Sequence, residues 1–600
     1  MAYRTWSILG GAMVATMVAA CGGGDDASGP AAVSPDAASP DGATEDAAPE
    51  TSLPEANADA GNEAAVPDAS NEDALPEASA EASADADASP EAAACGTATQ
   101  CAMAAEQKAA DKMAALAGGA DPTGLEQFLS AVPKGGDLHN HLSGAVYAET
   151  YMQWARDETA ANITHYCITN SSLSLSTSCS SGVSPVPSPG DSLFIQVVRA
   201  WSMQDFVAGA ETGHDHFFAT FGKFGAISGT AHHGKCLADA KKRAAEENQV
   251  YLEPMLFSNS TASSEGSAVW TGGTLDTSDL PAFHAALLAH SAWNASVQAI
   301  VNDIQKTETA SDQDLDCQGM SPPAACDVKS RYMVYISRSG AAPGVFAQMV
   351  AAFEAAIVEP RLVALNLVGP EDGTTALNAY DRQMEMLGYL HTYYEGKSPL
   401  HITLHAGELA TKYMPSSHTI AGVNHIRKAV EVAHAERVGH GVDVLGETNG
   451  TDLVAELQQL GVMVEIGLSS NIQILEVSGA QHPLATYLQA GVPVALATDD
   501  QGVSRSSMAG EYMRAVKDQN LDYRALKKMA RTSLHKSFAP GQSLWLSLDS
   551  LQSVAECVPT DTSYYGGAAS TACQAFLTTS ERARLQWELE RRFAVFEASQ

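Results

Sequence analysis

Short apolar runs alternate with longer amphipathic stretches along the chain from about residue 102 onward. The apolar runs that predict strands lie at 251–257, 332–336, 362–368, 402–404, 437–438, 462–466 and 492–497. Several of them are apolar without interruption, which is typical of strands buried on both faces of a parallel sheet. The stretches that predict helices between them include 346–356, 376–394, 420–435 and 483–490.

Repeated strand–helix units predict an α/β protein, a (β/α)8 TIM barrel with insertions. The predicted barrel domain, residues 95–600, is longer than the roughly 250 residues typical of such a barrel. We expect the surplus to form elaborations of one domain, and the candidate insertions are 162–192, 258–279, 303–330 and the region after about 540.

The amino terminus has the pattern of an export signal. Arg4 precedes an apolar stretch at 8–20 that ends in small residues, and Cys21 follows at once. This order predicts a bacterial lipoprotein signal peptide at 1–20 and lipidation of Cys21, with an ordinary signal peptide or an N-terminal anchor as the alternative. We therefore expect an exported protein at the outer membrane, the cell surface or in the periplasm, attached only through its lipid.

Residues 21–94 predict a disordered tether. Residues 22–94 contain 18 acidic residues and no Lys or Arg, with almost no large apolar side chain to form a core.

The formal net charge of the chain is −37, and −20 of it belongs to residues 95–600. This balance argues against nucleic acid or an anionic membrane surface as a partner. It also disfavours a polyanionic nucleotide as the substrate.

Ten cysteines are present, and eight of them are close neighbours in sequence. Export to an oxidising compartment makes local disulfides the expected use of these pairs. The predicted pairs are Cys95/Cys101, Cys167/Cys179, Cys317/Cys326 and Cys557/Cys573. Cys236 is left over and is predicted to be a buried thiol.

Four short motifs at the ends of strand-like runs carry the candidate metal ligands. Residues two apart on a strand point to the same side, so His139 and His141 can reach one ion. His405 and Asp499 each end another apolar run. Three imidazoles and one carboxylate suit a zinc-like ion, which lowers the pKa of a bound water and makes hydroxide available.

The same motifs contain three further polar side chains. Glu408 follows His405 around an Ala-Gly turn and could carry a proton to a substrate. His440 lies between two glycines, which lets its ring approach the attacking water, and Asp500 could accept a hydrogen bond from a substrate nitrogen. Together with the metal ligands, these groups predict a metal-dependent hydrolase.

In these motifs the chain resembles the adenosine deaminase family of the amidohydrolase superfamily. The similarity spans roughly residues 102–540. The matching stretches are Pro133-Lys134, Leu138-His139-Asn140-His141-Leu142, Gly144, His405-Ala406-Gly407-Glu408, Arg437-Val438-Gly439-His440-Gly441, Ser470-Asn471, His482-Pro483-Leu484, Ala490-Gly491-Val492, Thr498-Asp499-Asp500, Glu511-Tyr512 and Ser537-Phe538.

The resemblance implies a role for each candidate residue. It implies one divalent metal ion, Zn²⁺ by expectation, held by His139, His141, His405 and Asp499. The catalytic residues would be Glu408, His440 and Asp499, with Glu408 donating a proton to purine N1 and His440 orienting or deprotonating the attacking water. Asp500 would bind N7, and the backbone of Gly369 would contact N3.

The chain departs from the family pattern at three places. Ser143 stands where adenosine deaminases usually carry an Asp that contacts the ribose. The segment 465–471 lacks the usual Cys-Pro, and Gln501 replaces a usual Pro.

The implied activity is deamination of adenosine or 2'-deoxyadenosine, a small-molecule nucleoside. The alternatives are deamination of adenine or another aminopurine, and a non-catalytic nucleoside-binding surface protein. The oligomeric state stays open.

Overall fold

The computed structural model describes residues 97–256, 259–558 and 568–600. The predicted signal peptide, Cys21, the tether at 21–94 and Cys95 lie outside the described residues, so these stay predictions. Within the described ranges, no helix is both long and apolar enough to span a membrane.

Eight parallel strands form a nearly closed barrel, which confirms the predicted TIM-barrel fold. In chain order, the barrel strands are β1 (Gly135–His141), β2 (Gln249–Leu256), β3 (Tyr332–Ser337), β4 (Leu362–Val368), β5 (His401–Ala406), β6 (Arg437–His440), β7 (Met463–Ile466) and β8 (Val494–Leu496). Each strand pairs with the next one in this order, so the eight carboxyl ends meet at one rim.

The barrel closes between β1 and the residues that follow β8. The amide of His141 donates to the carbonyl of Asp499 at 3.0 Å, and the amide of Asp499 donates to the carbonyl of His139 at 2.9 Å. The side chain of Thr498 also donates to Asp137 at the base of this seam. Three predicted metal ligands therefore provide the backbone groups that join the first strand to the last.

Helices surround the barrel and extend its two ends. They are Ala98–Ala117, Thr123–Ala131, Leu142–Ala145, Ala148–Ala160, Ser192–Ala200, Gly213–Phe224, His233–Glu246, Ser260–Val269, Leu280–Ala289, Trp293–Asp314, Ala342–Val358, Thr374–Tyr394, Ile420–Val423, His425–Glu431, Gly450–Leu460, Leu468–Leu475, Leu484–Ala490, Gln501–Ser504, Met508–Lys517, Tyr523–His535, Thr571–Thr579 and Glu581–Ala598.

The predicted helix at 420–435 is wrong as a single element. It is divided into Ile420–Val423 and His425–Glu431 because Asn424 adopts a left-handed conformation with φ +50°. The carboxylate of Glu447 accepts the amides of Ile426 and Arg427 and so satisfies the start of the second piece. The break depends on a long-range cap, which apolar periodicity does not record.

The insertions add small elements outside the barrel. Cys167–Thr169, Ser174–Ser176 and Val183–Pro185 form an antiparallel sheet, and Trp545–Ser547 pairs with Gln552–Ser553. The predicted disulfides Cys167–Cys179, Cys317–Cys326 and Cys557–Cys573 are all present in these parts of the chain. Cys236 is buried, as predicted.

A group of charged side chains is buried inside the barrel. Arg437 of β6 contacts Glu253 of β2 with Nη2 at 2.6 Å, and Glu465 of β7 with Nε at 2.6 Å. Each of the three side chains is at most 1% exposed. A buried carboxylate without a countercharge is costly, so the guanidinium stabilises both acids, offsets one of their two negative charges and links three strands.

Replacing this arginine should therefore destabilise the whole barrel. We expect Arg437→Met to lower the free energy of unfolding by about 3–5 kcal/mol, since it removes the guanidinium that Glu253 and Glu465 share inside the barrel. Denaturant titration of the two proteins measures the difference. Arg591→Met is the matched control, because Arg591 pairs with Glu588 at the surface and its loss should cost below about 1 kcal/mol. Equal losses in the two variants would contradict the assignment.

Candidate metal centre and active site

The four predicted metal ligands converge at the carboxyl rim of the barrel. Nε2 of His405 lies 3.0 Å from Nε2 of His139 and 3.1 Å from Nε2 of His141. Oδ1 of Asp499 lies 3.5 Å and 3.3 Å from the same two histidine nitrogens. Ligands of a tetrahedral zinc ion, each 2.0–2.1 Å from the metal, lie about 3.3 Å apart. The spacing of the four atoms therefore fits one small divalent ion.

Hydrogen bonds behind two of the histidines fix which nitrogen faces the site. His139 donates from Nδ1 to Oε2 of Glu465 at 2.7 Å, and His405 donates from Nδ1 to Oδ1 of Asn366 at 2.9 Å. Both rings therefore present the Nε2 lone pair to the shared centre. Such outer contacts orient metal-binding histidines in known sites.

Two facing lone pairs at 3.0 Å repel each other unless a cation lies between them. Burial lowers the pKa of His139, but the carboxylates of Asp499 and Glu465 outweigh this effect and raise it to about 10. Burial and the neighbouring imidazoles hold the pKa of His405 well below its usual range. The site therefore attracts positive charge, and a metal ion would displace the proton from His139.

Glu408 lies beside the metal ligands in a turn held by another carboxylate. Glu371 accepts the amides of Gly407 and Glu408 at 2.9 and 2.8 Å, and it also pairs with Nδ1 of His425 at 2.5 Å. Although burial alone would raise the pKa of Glu371, the contact with His425 helps to lower it to about 2. A fixed negative charge therefore anchors the backbone of the turn.

The side chain of Glu408 favours its protonated form. Burial, together with the charges of Asp499 and Glu371, raises the pKa of Glu408 well above its usual range. Its Oε1 is buried and has no hydrogen-bond partner among the described residues. A carboxylic acid that keeps its proton at neutral pH can donate that proton to a substrate.

His440 and Asp500 complete the group around the metal ligands. Nε2 of His440 lies 3.6 Å from Oε1 of Glu408, so the two side chains face one small volume. Burial raises the pKa of Asp500 to about 8, with the charge of Asp499 adding to the effect. A Cβ at residue 144 would lie 1.6 Å from Oδ1 of Asp500, so only Gly144 leaves room for this carboxyl group.

Two of these residues have strained backbones. His440 and Asp499 adopt φ values of +66° and +57°, a left-handed conformation that non-glycine residues rarely take. Strain of this kind costs on the order of 1–3 kcal/mol at each position and persists where the surroundings hold it. The conformations therefore serve to aim the two side chains at the site rather than to stabilise the fold.

The group lies at the floor of a largely apolar cavity that opens to solvent. One wall is the helix Gly213–Phe224, which contributes Phe217, Phe218 and Phe221. Ser143 and Gly369 also line the cavity, and Gly369 has φ +119°. Among the described residues, none of those lining it is Lys or Arg.

The structure brings all the sequence-predicted site residues of the barrel into one place. Three residues that support them were missed by sequence reasoning: Glu465, Asn366 and Glu371. Glu465 and Asn366 are polar residues inside strongly apolar strands, and Glu371 comes shortly after one. A polar residue inside an apolar strand was the available signal, since burial without a partner would be costly.

Comparisons with known proteins agree with the motifs. The family model described as "Adenosine deaminase" matches residues 289–551. The adenosine deaminase of Serratia proteamaculans is 32% identical over 180 residues, which cover 29% of this chain and 50% of the relative. The adenosine deaminase of Escherichia coli is 31% identical over 182 residues, which cover 30% and 47%. The chain thus spans about half the length of the curated relatives it matches.

Solved structures of low identity were also found. An adenine deaminase from Arthrobacter aurescens is 17% identical, with 68% of this chain and 95% of that chain covered and a TM-score of 0.43. The N6-methyl-AMP deaminase from Arabidopsis thaliana is 19% identical, with coverages of 69% and 94% and a TM-score of 0.41. By sequence, the chain is similar to adenosine deaminases over residues 289–551, which is less than half of its length.

Proposed function

We propose that this protein is a metal-dependent deaminase that hydrolyses the amino group at C6 of a purine. The observation that carries the proposal is a buried Glu408, whose pKa is raised by burial, beside four converging candidate metal ligands at the floor of an apolar cavity. Hydrolysis needs an acid and a means to activate a water molecule, and these groups would supply both once a metal ion is bound.

His139, His141, His405 and Asp499 would hold the ion, and Zn²⁺ is the ion proposed because it favours nitrogen-rich sites of four ligands. When bound, such an ion lowers the pKa of a coordinated water towards neutrality. The chain's own residues then have two tasks. They must place the purine ring with C6 next to that water, and they must move protons.

Glu408 would donate its proton to N1 of the ring, which makes C6 more open to attack. The water oxygen bonds to C6, the bond from C6 to the amino nitrogen breaks, and the amine leaves as ammonia after taking a proton. Purine N7 has only a lone pair, so Asp500 can bind it only while protonated. The raised pKa of Asp500, a result of burial, supports this contact.

The proposed substrate is an uncharged purine nucleoside, adenosine or 2'-deoxyadenosine. An apolar cavity whose described lining lacks Lys and Arg favours a neutral ligand over a phosphorylated one. Adenine or another aminopurine is the second candidate, because Ser143 offers a shorter side chain than Asp towards a sugar. A protein that only binds a nucleoside would need the same cavity without turnover.

We also propose that the enzyme works outside the cytoplasm, anchored through Cys21. Three local disulfides support this view, since such bonds persist mainly in oxidising compartments. Mass spectrometry of the mature protein from its membrane fraction would test it. A lipid-modified Cys21 as the first residue is the expected result, and an unmodified chain beginning elsewhere would contradict it.

Removing the proposed acid should stop turnover and spare the metal site. We expect Glu408→Gln to lower kcat for adenosine by about 10²- to 10⁴-fold, the usual contribution of general acid catalysis. Ammonia release measures turnover, and zinc content per protein measures the metal site. Glu395→Gln at the exposed end of a helix is the control and should keep full activity. Full activity in Glu408→Gln would disprove the proposed acid.

Zinc should stabilise the folded protein through the four ligands. At a free zinc concentration of 100 times Kd, we expect a gain of about 2.7 kcal/mol, seen as a rise in Tm of the chelator-treated protein. His141→Ala should weaken this response, because it removes one ligand. The exposed His391→Ala should respond like the wild type. An equal zinc response in all three proteins would show that the ion binds elsewhere.

The choice of substrate can be tested at Ser143 and with phosphate. We expect kcat/KM to be much lower for AMP than for adenosine, since the cavity offers the phosphate no described cation. Ser143→Asp should raise kcat/KM for adenosine relative to adenine if the sugar contact limits turnover. Asn is close to Asp in size but uncharged, so Ser143→Asn separates the effect of side-chain size on kcat/KM from the effect of charge. A decrease for adenosine in Ser143→Asp would count against the nucleoside assignment.

A further inference from the structure

Two residues of the family-like motifs have no role in the mechanism so far, Asn471 and His482. Both are buried, with Asn471 0% and His482 3% exposed. Nδ2 of Asn471 lies 2.9 Å from Nδ1 of His440, and Oδ1 of Asn471 lies 3.0 Å from Nε2 of His482. The two side chains therefore form a hydrogen-bonded row that ends on the ring beside Glu408.

The hydrogen bond between His482 and Leu484 determines which atom donates and which accepts along this row. The backbone amide of Leu484 lies 3.1 Å from Nδ1 of His482, and an amide N–H can only donate. Nδ1 of His482 therefore accepts, and the neutral ring carries its proton on Nε2. Burial lowers the pKa of His482 to about 4, which keeps the ring neutral at physiological pH.

Each following contact is then determined by the one before it. His482 donates from Nε2 to the amide oxygen of Asn471, so the NH₂ group of Asn471 must face His440. That NH₂ group donates to Nδ1 of His440, which leaves the proton of a neutral His440 on Nε2. The opposite arrangement would set an N–H of His482 against the amide N–H of Leu484.

We propose that Asn471 and His482 are positioning residues that hold His440 with its proton on Nε2, directed at the attacking water. Because this nitrogen already carries its proton, His440 donates a hydrogen bond to the water oxygen and does not deprotonate it. The row thereby decides between the two roles, orienting or deprotonating, that the family resemblance leaves open. The proposal rests on the proposed deaminase function.

The proton of the water must then go to another group, and Glu408 faces the same small volume as His440. After Glu408 has given its proton to N1, its carboxylate can accept the proton of the water and pass it to the departing amine. As the bond from C6 to nitrogen breaks, the hydroxyl group now on C6 becomes the carbonyl and returns its proton to Glu408. The carboxyl group thus gives away two protons, receives both protons of the water and ends protonated, as it began. The 3.6 Å between Oε1 of Glu408 and Nε2 of His440 lets both groups face one oxygen atom.

The first test reads the tautomer directly and needs no turnover. Long-range ¹H–¹⁵N spectra of the zinc-loaded protein with ¹⁵N-labelled histidine report which ring nitrogen carries a proton. Signals absent from the His440→Asn spectrum belong to His440. We expect a protonated Nε2 and an unprotonated Nδ1. A protonated Nδ1 in the wild type would overturn the proposal, whether or not the protein deaminates purines.

The second test reverses one end of the row and leaves its shape. Asp in place of Asn471 can still accept from His482, but it can only accept from His440 and so draws a proton onto Nδ1. We expect Asn471→Asp to show this proton and to lower kcat about 10- to 100-fold with little change in KM, the scale seen for outer contacts of metal sites. Unchanged kcat with the proton on Nδ1 would overturn the proposal.

Two further variants separate orientation from packing. His482→Gln keeps a donor for Asn471 and an acceptor for Leu484, whereas His482→Leu keeps only the bulk. We expect the Gln variant to retain more of kcat than the Leu variant, and equal losses would contradict the proposal. Asn520→Asp, at an exposed position, is the control for the added charge and should match the wild type. If the wild type releases no ammonia from any purine, the proposed function fails and the spectra alone decide the tautomer.

Discussion

The contact on which the site depends most is the one between Arg437 and Glu465 inside the barrel. Glu465 uses Oε1 for the guanidinium at 2.6 Å and Oε2 for Nδ1 of His139 at 2.7 Å. A single carboxylate therefore joins the charge balance of the barrel interior to the orientation of a metal ligand. Stability and metal binding cannot vary independently in such an arrangement, since loss of the arginine would leave Glu465 without its countercharge.

Closure of the barrel also depends on residues of the candidate metal site. The backbone of Asp499 accepts from the amide of His141 and donates to the carbonyl of His139 across the seam between the first and last strands, while the side chains of these residues face the candidate metal position. The left-handed backbone conformation of Asp499 lowers the stability of the fold, but it directs the carboxylate of this residue towards the candidate metal position. The close approach of Gly144 to Asp500 shows how little space the seam leaves for other side chains.

Much of this arrangement could be predicted from sequence, because barrel strands and ligand motifs are local patterns. The His139-x-His141 spacing and the apolar run before Asp499 each carry their information within a few residues. The outer contacts could not be predicted in this way. Glu371, which follows β4, reaches the amides of Gly407 and Glu408, which follow the neighbouring β5. Asn424 divides a helix, and Glu447 caps the second part. Such contacts depend on tertiary position, which periodicity does not report.

The site also explains why a metal ion and the fold should depend on each other. Without a cation, the lone pairs of His139 and His405 meet at 3.0 Å, and the buried Asp499 keeps its negative charge beside them. A proton on His139 relieves this only in part, because one proton cannot satisfy four converging ligand atoms. A divalent ion can satisfy all of them, so its binding energy adds directly to the stability of the seam between β1 and β8. A bond from Asp499 to the metal ion would then offset the backbone strain at this residue.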